Sequence, residues 1–300
     1  MNKQAIRWIK AAMGVVGVVV LTKMCVGTSC FIPSSGMENS LYPGEGILVN
    51  KWSYGLRMPF PSLFGYHRLA YKNIKKGDIA VFDSPEAKQS SLFPSLYIGR
   101  CIGAPGDTLM LDKGLSDTGS IPVNPDMKML YTYPASYEDT LTAILRSLKR
   151  ADNLPAGYTS DGDYIRNLSH YEYYLVSQRS EGRLPLMPLN RKETSDVHPY
   201  VIPSRHADIK VYPWNAVLLC NTIARYEGRK ATLKGDTLYI DGKPVTKYTF
   251  QQDYCWIAAN DPTNLSDSRL FGFVPESYLV GKAIRIWFSP HAKRIFQRIR

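Results

Sequence analysis

Histidine and cysteine are scarce in this chain, five of each in 300 residues, and neither type clusters. His67, His170, His198, His206 and His291 are scattered and no two cysteines stand at ligand spacing, which argues against a zinc site; no cofactor is expected. Internal repeats and low-complexity tracts are absent, which removes solenoids and long disordered arms. The body of the chain also lacks a charge excess, although the whole carries +11. Lys3, Arg7, Lys10 and Lys23 at one end, and Lys282, Arg285, Lys293, Arg294, Arg298 and Arg300 at the other, meet no acid. Removing these ten from 37 basic residues leaves 27 against 26 acidic ones. With no basic face and no helix-turn-helix pattern in the body, no nucleic-acid partner is expected. Basic ends beside an apolar segment suit an anionic lipid bilayer.

That apolar segment is itself short. Ala11 to Leu21 is uninterrupted, and Trp8-Ile9 before it and Met24-Cys25-Val26 after it bring it to bilayer length if Lys10 and Lys23 snorkel. Lys3, Arg7 and Lys10 precede it, so the positive-inside rule sets the N-terminus in the cytoplasm and the rest outside. A cleavable signal peptide is the rival, but Lys23 stands where small residues are wanted and no small-x-small site follows. Residues 1–28 are read as a cytoplasmic tip and a retained transmembrane helix. Cys25 then lies in the span. Cys30, Cys101, Cys220 and Cys255 would face an oxidising compartment, yet Cys101 and Cys255 sit in apolar runs and read as buried small side chains.

What is abundant is period-two apolar patterning bounded by glycine or proline. Gly46 to Val49, Asp78 to Phe82, Tyr97 to Ile102, Thr108 to Leu111, Ala216 to Leu219, Leu238 to Ile240, Tyr254 to Ala258 and Ala283 to Phe288 are read as strands. Thr237 to Val245 reads as a hairpin around Asp241-Gly242. One helix is expected, Ser136 to Ala151, on which Leu141, Ile144, Leu145 and Leu148 share a face. The chain is mainly β.

Four blocks carry a resemblance. Pro33-Ser-Ser-Gly-Met-Glu-Asn-Ser-Leu41 runs on through Tyr42-Pro-Gly-Glu-Gly-Ile-Leu-Val-Asn-Lys51. Lys76-Gly-Asp-Ile-Ala-Val-Phe82 is the second, Tyr97-Ile-Gly-Arg-Cys-Ile-Gly-Ala-Pro-Gly-Asp107 the third. The fourth is Asn260 to Arg269, with Gly272-Phe-Val-Pro275 and Val280-Gly-Lys-Ala283 behind it. In this order they resemble bacterial type I signal peptidases, membrane-anchored Ser-Lys endopeptidases of the inner membrane, over about Ser29 to Ser289. The resemblance implies a signal-peptidase-like antiparallel β core formed by 29–112 and 211–289. Residues 113–210 match no block and are read as an α+β accessory insert, with 290–300 as a basic tail.

By the same resemblance Gly36 stands at the nucleophile position and Gly99 at the lysine position. Amide cleavage in that family needs a serine hydroxyl activated by a neutral lysine, and glycine supplies neither. A glycine can instead answer a backbone need, positive φ or close approach. Ser35 is the candidate substitute nucleophile; in an extended segment it points to the opposite face from position 36 and needs a one-residue slip. Ser34 matches the oxyanion-hole serine, Met37 and Leu41 match substrate-binding positions, and Met37 reads equally well as core. Arg100 matches the arginine beside the lysine and cannot accept a proton. Ser268 matches the serine that orients the lysine amine, and Asp267 and Arg269 match a structural ion pair. Lys51 and Lys282 match ordinary positions outside the dyad.

The expectation is therefore a single-pass inner-membrane protein with its main domain on the periplasmic or outer side. It would bind signal peptides of exported preproteins without cleaving them, alone or beside an active paralogous signal peptidase. Two alternatives are an active peptidase using Ser35 and an exported interaction module. On sequence alone, Gly36→Ser with Gly99→Lys is expected to create cleavage. Protease added to spheroplasts should digest the body and leave the first residues protected; a soluble product starting near residue 27 contradicts the anchor.

Overall fold

The computed structural model describes residues 4, 7–8, 12–15, 27–58, 65–85, 95–117, 126–148, 153–189, 196–264 and 266–299. Most of the expected transmembrane segment lies outside the described residues. Among the described residues no helix is long and apolar enough to cross a membrane.

The first half of the chain contributes β1 (Gly27–Phe31), β2 (Gly46–Asn50), a small hairpin of β3 (Leu56–Arg57) and β4 (Arg68–Leu69), then β5 (Ile79–Asp83), β6 (Leu96–Gly103) and β7 (Thr108–Leu111). A middle group follows: β8 (Lys128–Tyr133), α1 (Glu138–Ser147), β9 (Pro155–Tyr158), β10 (Tyr164–Ser169), α2 (His170–Arg179) and β11 (Met187–Pro188). The chain returns through β12 (His198–Val201), β13 (Asp208–Lys210), α3 (Ala216–Tyr226), β14 (Ala231–Lys234), β15 (Thr237–Ile240), β16 (Lys243–Val245), β17 (Lys247–Thr249) and β18 (Tyr254–Ala258). It ends with α4 (Ser268–Phe271), β19 (Val274–Pro275) and β20 (Leu279–Phe288).

Seven strands form the main antiparallel sheet in the order β1-β2-β20-β5-β6-β18-β19. Its centre is buried on both faces, and alternation sorts the side chains. On β5, Ala80 and Phe82 join Cys101, Cys255 and Ile257 in one apolar cluster. Ile79 and Val81 on the same strand join Ile32, Met37, Leu41, Ile47 and Val49 in a second. On β18, Cys255 and Ile257 face the first cluster, while Tyr254, Trp256 and Ala258 face a third that holds Leu109, Leu218, Leu219 and Ile223. Each such buried aliphatic side chain contributes about 1.5–3 kcal/mol by leaving water. Cys30, Cys101, Cys220 and Cys255 are free thiols, with Cys101 and Cys255 buried.

Ala216 to Leu219, expected as a strand, is the first turn of α3. Four apolar residues cannot tell a strand from a buried helix; the longer repeat Leu218, Leu219, Thr222, Ile223 buries one face at spacings of three and four. The expected helix is α1, shorter than read, with Leu141 and Leu145 buried and residues 149–152 outside the description. The hairpin forms as expected, with Asp241 at φ 50° and Gly242 at φ 82° closing β15 onto β16. α2 was not expected, although Ser169 and Glu172 form a reciprocal capping box that the sequence spells out.

Within 113–210 the sheet β11-β8-β10-β9 and its helices enclose their own cluster of Tyr131, Tyr133, Leu141, Leu145, Leu168, Val176 and Leu184. β12 and β13 instead pair with β7 and β17, and Tyr200, Ile202 and Ile209 enter the third cluster of the main body. Among the described residues of 113–210, the strands and helices between β8 and β11 thus enclose a cluster of their own, while β12 and β13 belong to the main body.

Residues 290–299 are no free tail. They fold back on β20 through Phe296 N–H to Ile286 C=O (2.7 Å) and Ile299 N–H to Ile284 C=O (3.1 Å). Arg294 reaches the buried Glu45 carboxylate (2.6 Å) and the Ser40 carbonyl (2.8 Å). Burial pushes the Glu45 carboxyl up, but bonds from Arg294, the Tyr42 N–H and Ser289 outweigh it and hold the group below the usual carboxylate range. A lowered folded pKa stabilises above the unfolded value and is lost as pH falls through the folded one. Arg294→Gln leaves Glu45 buried without its cation and should cost about 3–5 kcal/mol at neutral pH by urea unfolding. The gap between variant and parent should narrow on acidification below the carboxylate range; a pH-independent gap would show that the pair is not its source.

Candidate functional site

Gly36 sits in a 3-10 turn, Ser35–Met37, that follows Ser34 in extended conformation. The segment is therefore not a continuous strand, and the strand-face argument for Ser35 does not apply. Ser34 and Ser35 are both exposed, while Gly36 and Met37 are buried. The turn is closed by Glu38 N–H to Ser35 C=O (2.8 Å) and Leu41 N–H to Met37 C=O (2.7 Å). Met37 and Leu41, 2% and 0% exposed, pack into the second apolar cluster with Ile32 and Ile47.

Gly99 lies on β6, opposite Ala80 of β5. β18 pairs with β6 only at Arg100, Cys101 and Gly103, so Leu96–Ile98 has β5 as its one strand neighbour among the described residues. The turn at Gly36 packs against β6.

Neither glycine has positive φ. Both instead answer a close approach by a side chain. A Cβ on Gly36 would stand 2.0 Å from Nδ2 of Asn264, and one on Gly99 would stand 2.4 Å from Cγ2 of Ile257 and 3.2 Å from the Ala258 carbonyl oxygen. A Cβ essentially never stands under 3.0 Å from another heavy atom, so a side chain added at either position must displace its neighbour, the end of a flexible asparagine at 36 and a core isoleucine at 99. Ile257 is fully buried on β18, so moving it disturbs the first apolar cluster.

A polar network fixes the two segments to each other. Arg100, 2% exposed, donates to Gly77 C=O (2.9 Å), Ser40 Oγ (2.7 Å) and Asn260 Oδ1 (3.5 Å). Burial lowers its pKa and the charge of Asp126 opposes that. Asn260 Nδ2 lies within hydrogen-bond distance of Ser40 Oγ (2.8 Å) and of the Glu38 and Met37 carbonyls (3.0 and 3.3 Å). Ser40 donates to Asp126 (2.8 Å), and Asp261 N–H donates to the Gly36 carbonyl (3.0 Å). The 126–189 unit closes over this region. Lys128 is ion-paired with Glu38, and Asn167 donates to Asp261 (2.5 Å).

Asp267 and Arg269 form the expected ion pair (2.7 Å), and it clamps a loop. Arg269 also donates to the Pro262 carbonyl (2.6 Å) and the Asn264 carbonyl, while Asp267 accepts from Ala259 N–H (2.9 Å). Ser268 is buried and its hydroxyl accepts from Ile257 N–H (2.9 Å), so it holds β18 rather than an amine. No side chain among the described residues is bonded to the Ser35 hydroxyl, and no group of histidines, cysteines or acids there could hold a metal. Lys51 lies at the end of β2, and Lys282 pairs with Asp78. Asn264, Ile257, Asn260 and Lys128 were given no role from sequence; Asn260 and Asn264 lie inside the fourth block, but nothing in their spacing marks contact with the Gly36 turn and Ser40, 220 or more residues away.

Residues 5–159 match the family described as "Signal peptidase, peptidase S26". Similar proteins include Signal peptidase I of Buchnera aphidicola subsp. Acyrthosiphon pisum (strain APS), 28% identical over 86% of this chain and 67% of that one. Signal peptidase I of Haemophilus influenzae is 21% identical over 95% and 70%, and that of Pseudomonas aeruginosa 35% identical over only 27% and 26%. With its β sheet and these matches, the chain belongs to the signal peptidase family.

Adding a methyl at Gly99 overpacks a closed strand pair and should destabilise by about 1–3 kcal/mol. Most of that cost should vanish when Gly99→Ala is made in an Ile257→Ala background, read by urea unfolding as a double-mutant cycle. Equal cost in both backgrounds would acquit Ile257.

Proposed function

We propose that this chain is a non-catalytic signal-peptidase-like protein, anchored in the inner membrane by the N-terminal segment. Its N-terminus is cytoplasmic, its main domain is on the outer side, and it binds signal peptides of exported proteins, alone or beside an active paralogue. The observation that carries the loss of chemistry is the filling of both dyad positions, Gly36 by Asn264 and Gly99 by Ile257. A nucleophile and a base must lie within hydrogen-bond reach of each other, and here an amide and a methyl stand in their places. Peptide binding is supported by the segment Leu96–Ile98, whose outer edge no described strand covers and which can accept an extended peptide by strand addition.

The test is incubation of the detergent-solubilised full chain with a preprotein, with an active family member as control. Binding without cleavage is expected. Gly36→Ser with Gly99→Lys should also stay inactive, contrary to the expectation from sequence alone, because the lysine Cβ at 99 meets Ile257 and the Ala258 carbonyl. Cleavage by the unmodified chain that is lost in Ser35→Ala would overturn the reading and make Ser35 the nucleophile. Neither binding nor cleavage would favour an interaction module acting through another surface.

A further inference from the structure

The loop that covers Gly36 is held by its backbone and plugs by one side chain. Arg269 fixes the Pro262 and Asn264 carbonyls and is fixed in turn by Asp267. Asn264 Oδ1 accepts from Ser266 N–H (2.9 Å), which turns Nδ2 toward Gly36. Beyond that nitrogen the next contacts, at 2.9 and 3.5 Å, are Cγ and Cβ of the same asparagine, so among the described residues no other group comes closer to the Gly36 position. The plug is therefore a single short side chain on a clamped loop. It can be withdrawn by a rotamer change that breaks one hydrogen bond, without unfolding its support.

We infer that Asn264 is a gate on the peptide cleft: it occupies the ground in front of Gly36 in the free protein and must leave when an extended peptide is laid from the edge of β6 that no described strand covers across the Gly36 turn. This rests on the peptide-binding reading above and adds to it the residue that limits access. The clamp makes the gate local. Arg269 and Asp267 keep the loop backbone close to the cleft whether or not the side chain is in it, so an arriving chain displaces one side chain and not the loop. The cost of displacing it falls on binding and not on folding, which gives a ligand that competes with the protein's own amide.

A fluorescein-labelled synthetic signal peptide, titrated by anisotropy against the detergent-solubilised full chain, reads the gate directly. Asn264→Ala removes the amide and leaves every backbone bond to Arg269 in place; it should bind about fivefold tighter than the parent, the factor that follows from no longer breaking one hydrogen bond. Asn264→Ser is the second variant and should fall between the two. In parallel, Gly36→Ala should lower the melting temperature of the parent and change it little in the Asn264→Ala background, which reads occupancy without any peptide. Equal affinity of parent and Asn264→Ala overturns the gate and leaves the binding reading standing. Weaker binding by Asn264→Ala makes the residue a peptide contact and also overturns the gate. Binding by neither protein overturns both.

Discussion

The buried guanidinium of Arg100 is the constraint on which the rest of this region hangs. Taking a cation to 2% exposure is costly unless its donors are met, and here they are met by Gly77, Ser40 and Asn260, from three segments distant in sequence. Asn260 then passes the constraint on to the Met37 and Glu38 carbonyls, and Ser40 passes it to Asp126 at the edge of the 126–189 unit. One charge therefore sets the separation of the Gly36 turn, β6 and the loop after β18. A network of this kind tolerates little relaxation, because any member that moves leaves a buried polar group unpaired.

Two further attachments act on the same turn from outside. Lys128 holds Glu38 from the middle unit, and Arg294 holds Glu45 and the Ser40 carbonyl from the folded-back C-terminus. Residues read as insert and tail are thus supports of the segment that carries Gly36. The excess positive charge of the C-terminal stretch is partly used inside the fold, through Arg294 and through Lys282 on Asp78, while Arg285, Lys293 and Arg298 are exposed.

The strands of the main sheet were legible because alternation and glycine boundaries are strong where one strand separates two cores, as β5 does with Ala80 and Phe82 on one side and Ile79 and Val81 on the other. The same rule failed at Ala216, where the window was too short to show that Leu219 and Ile223 repeat at a helical interval. Within the site the two glycine positions, Arg100 and the Asp267–Arg269 pair could be named from the motif blocks. Their partners could not, because contacts such as Asn264 over Gly36 join residues that only tertiary packing brings together. The 3-10 turn at Ser35 was missed for a local reason: Ser-Gly-Met carries no turn signal strong enough to exclude an extended chain.

A glycine in place of a working side chain can mean that a position has merely been emptied. An emptied position next to a buried strand would leave a void, and a void costs about 24 cal/mol per Å³ in lost contacts. At Gly99 there is no void, since a methyl of Ile257 reaches into the space a Cβ would need. At Gly36 an amide does the same. Backbone conformation does not demand glycine at either place, because neither has positive φ. The neighbours demand it. At position 99 it is the packing of β18, and at position 36 the Asn264 side chain, that any added Cβ would have to displace.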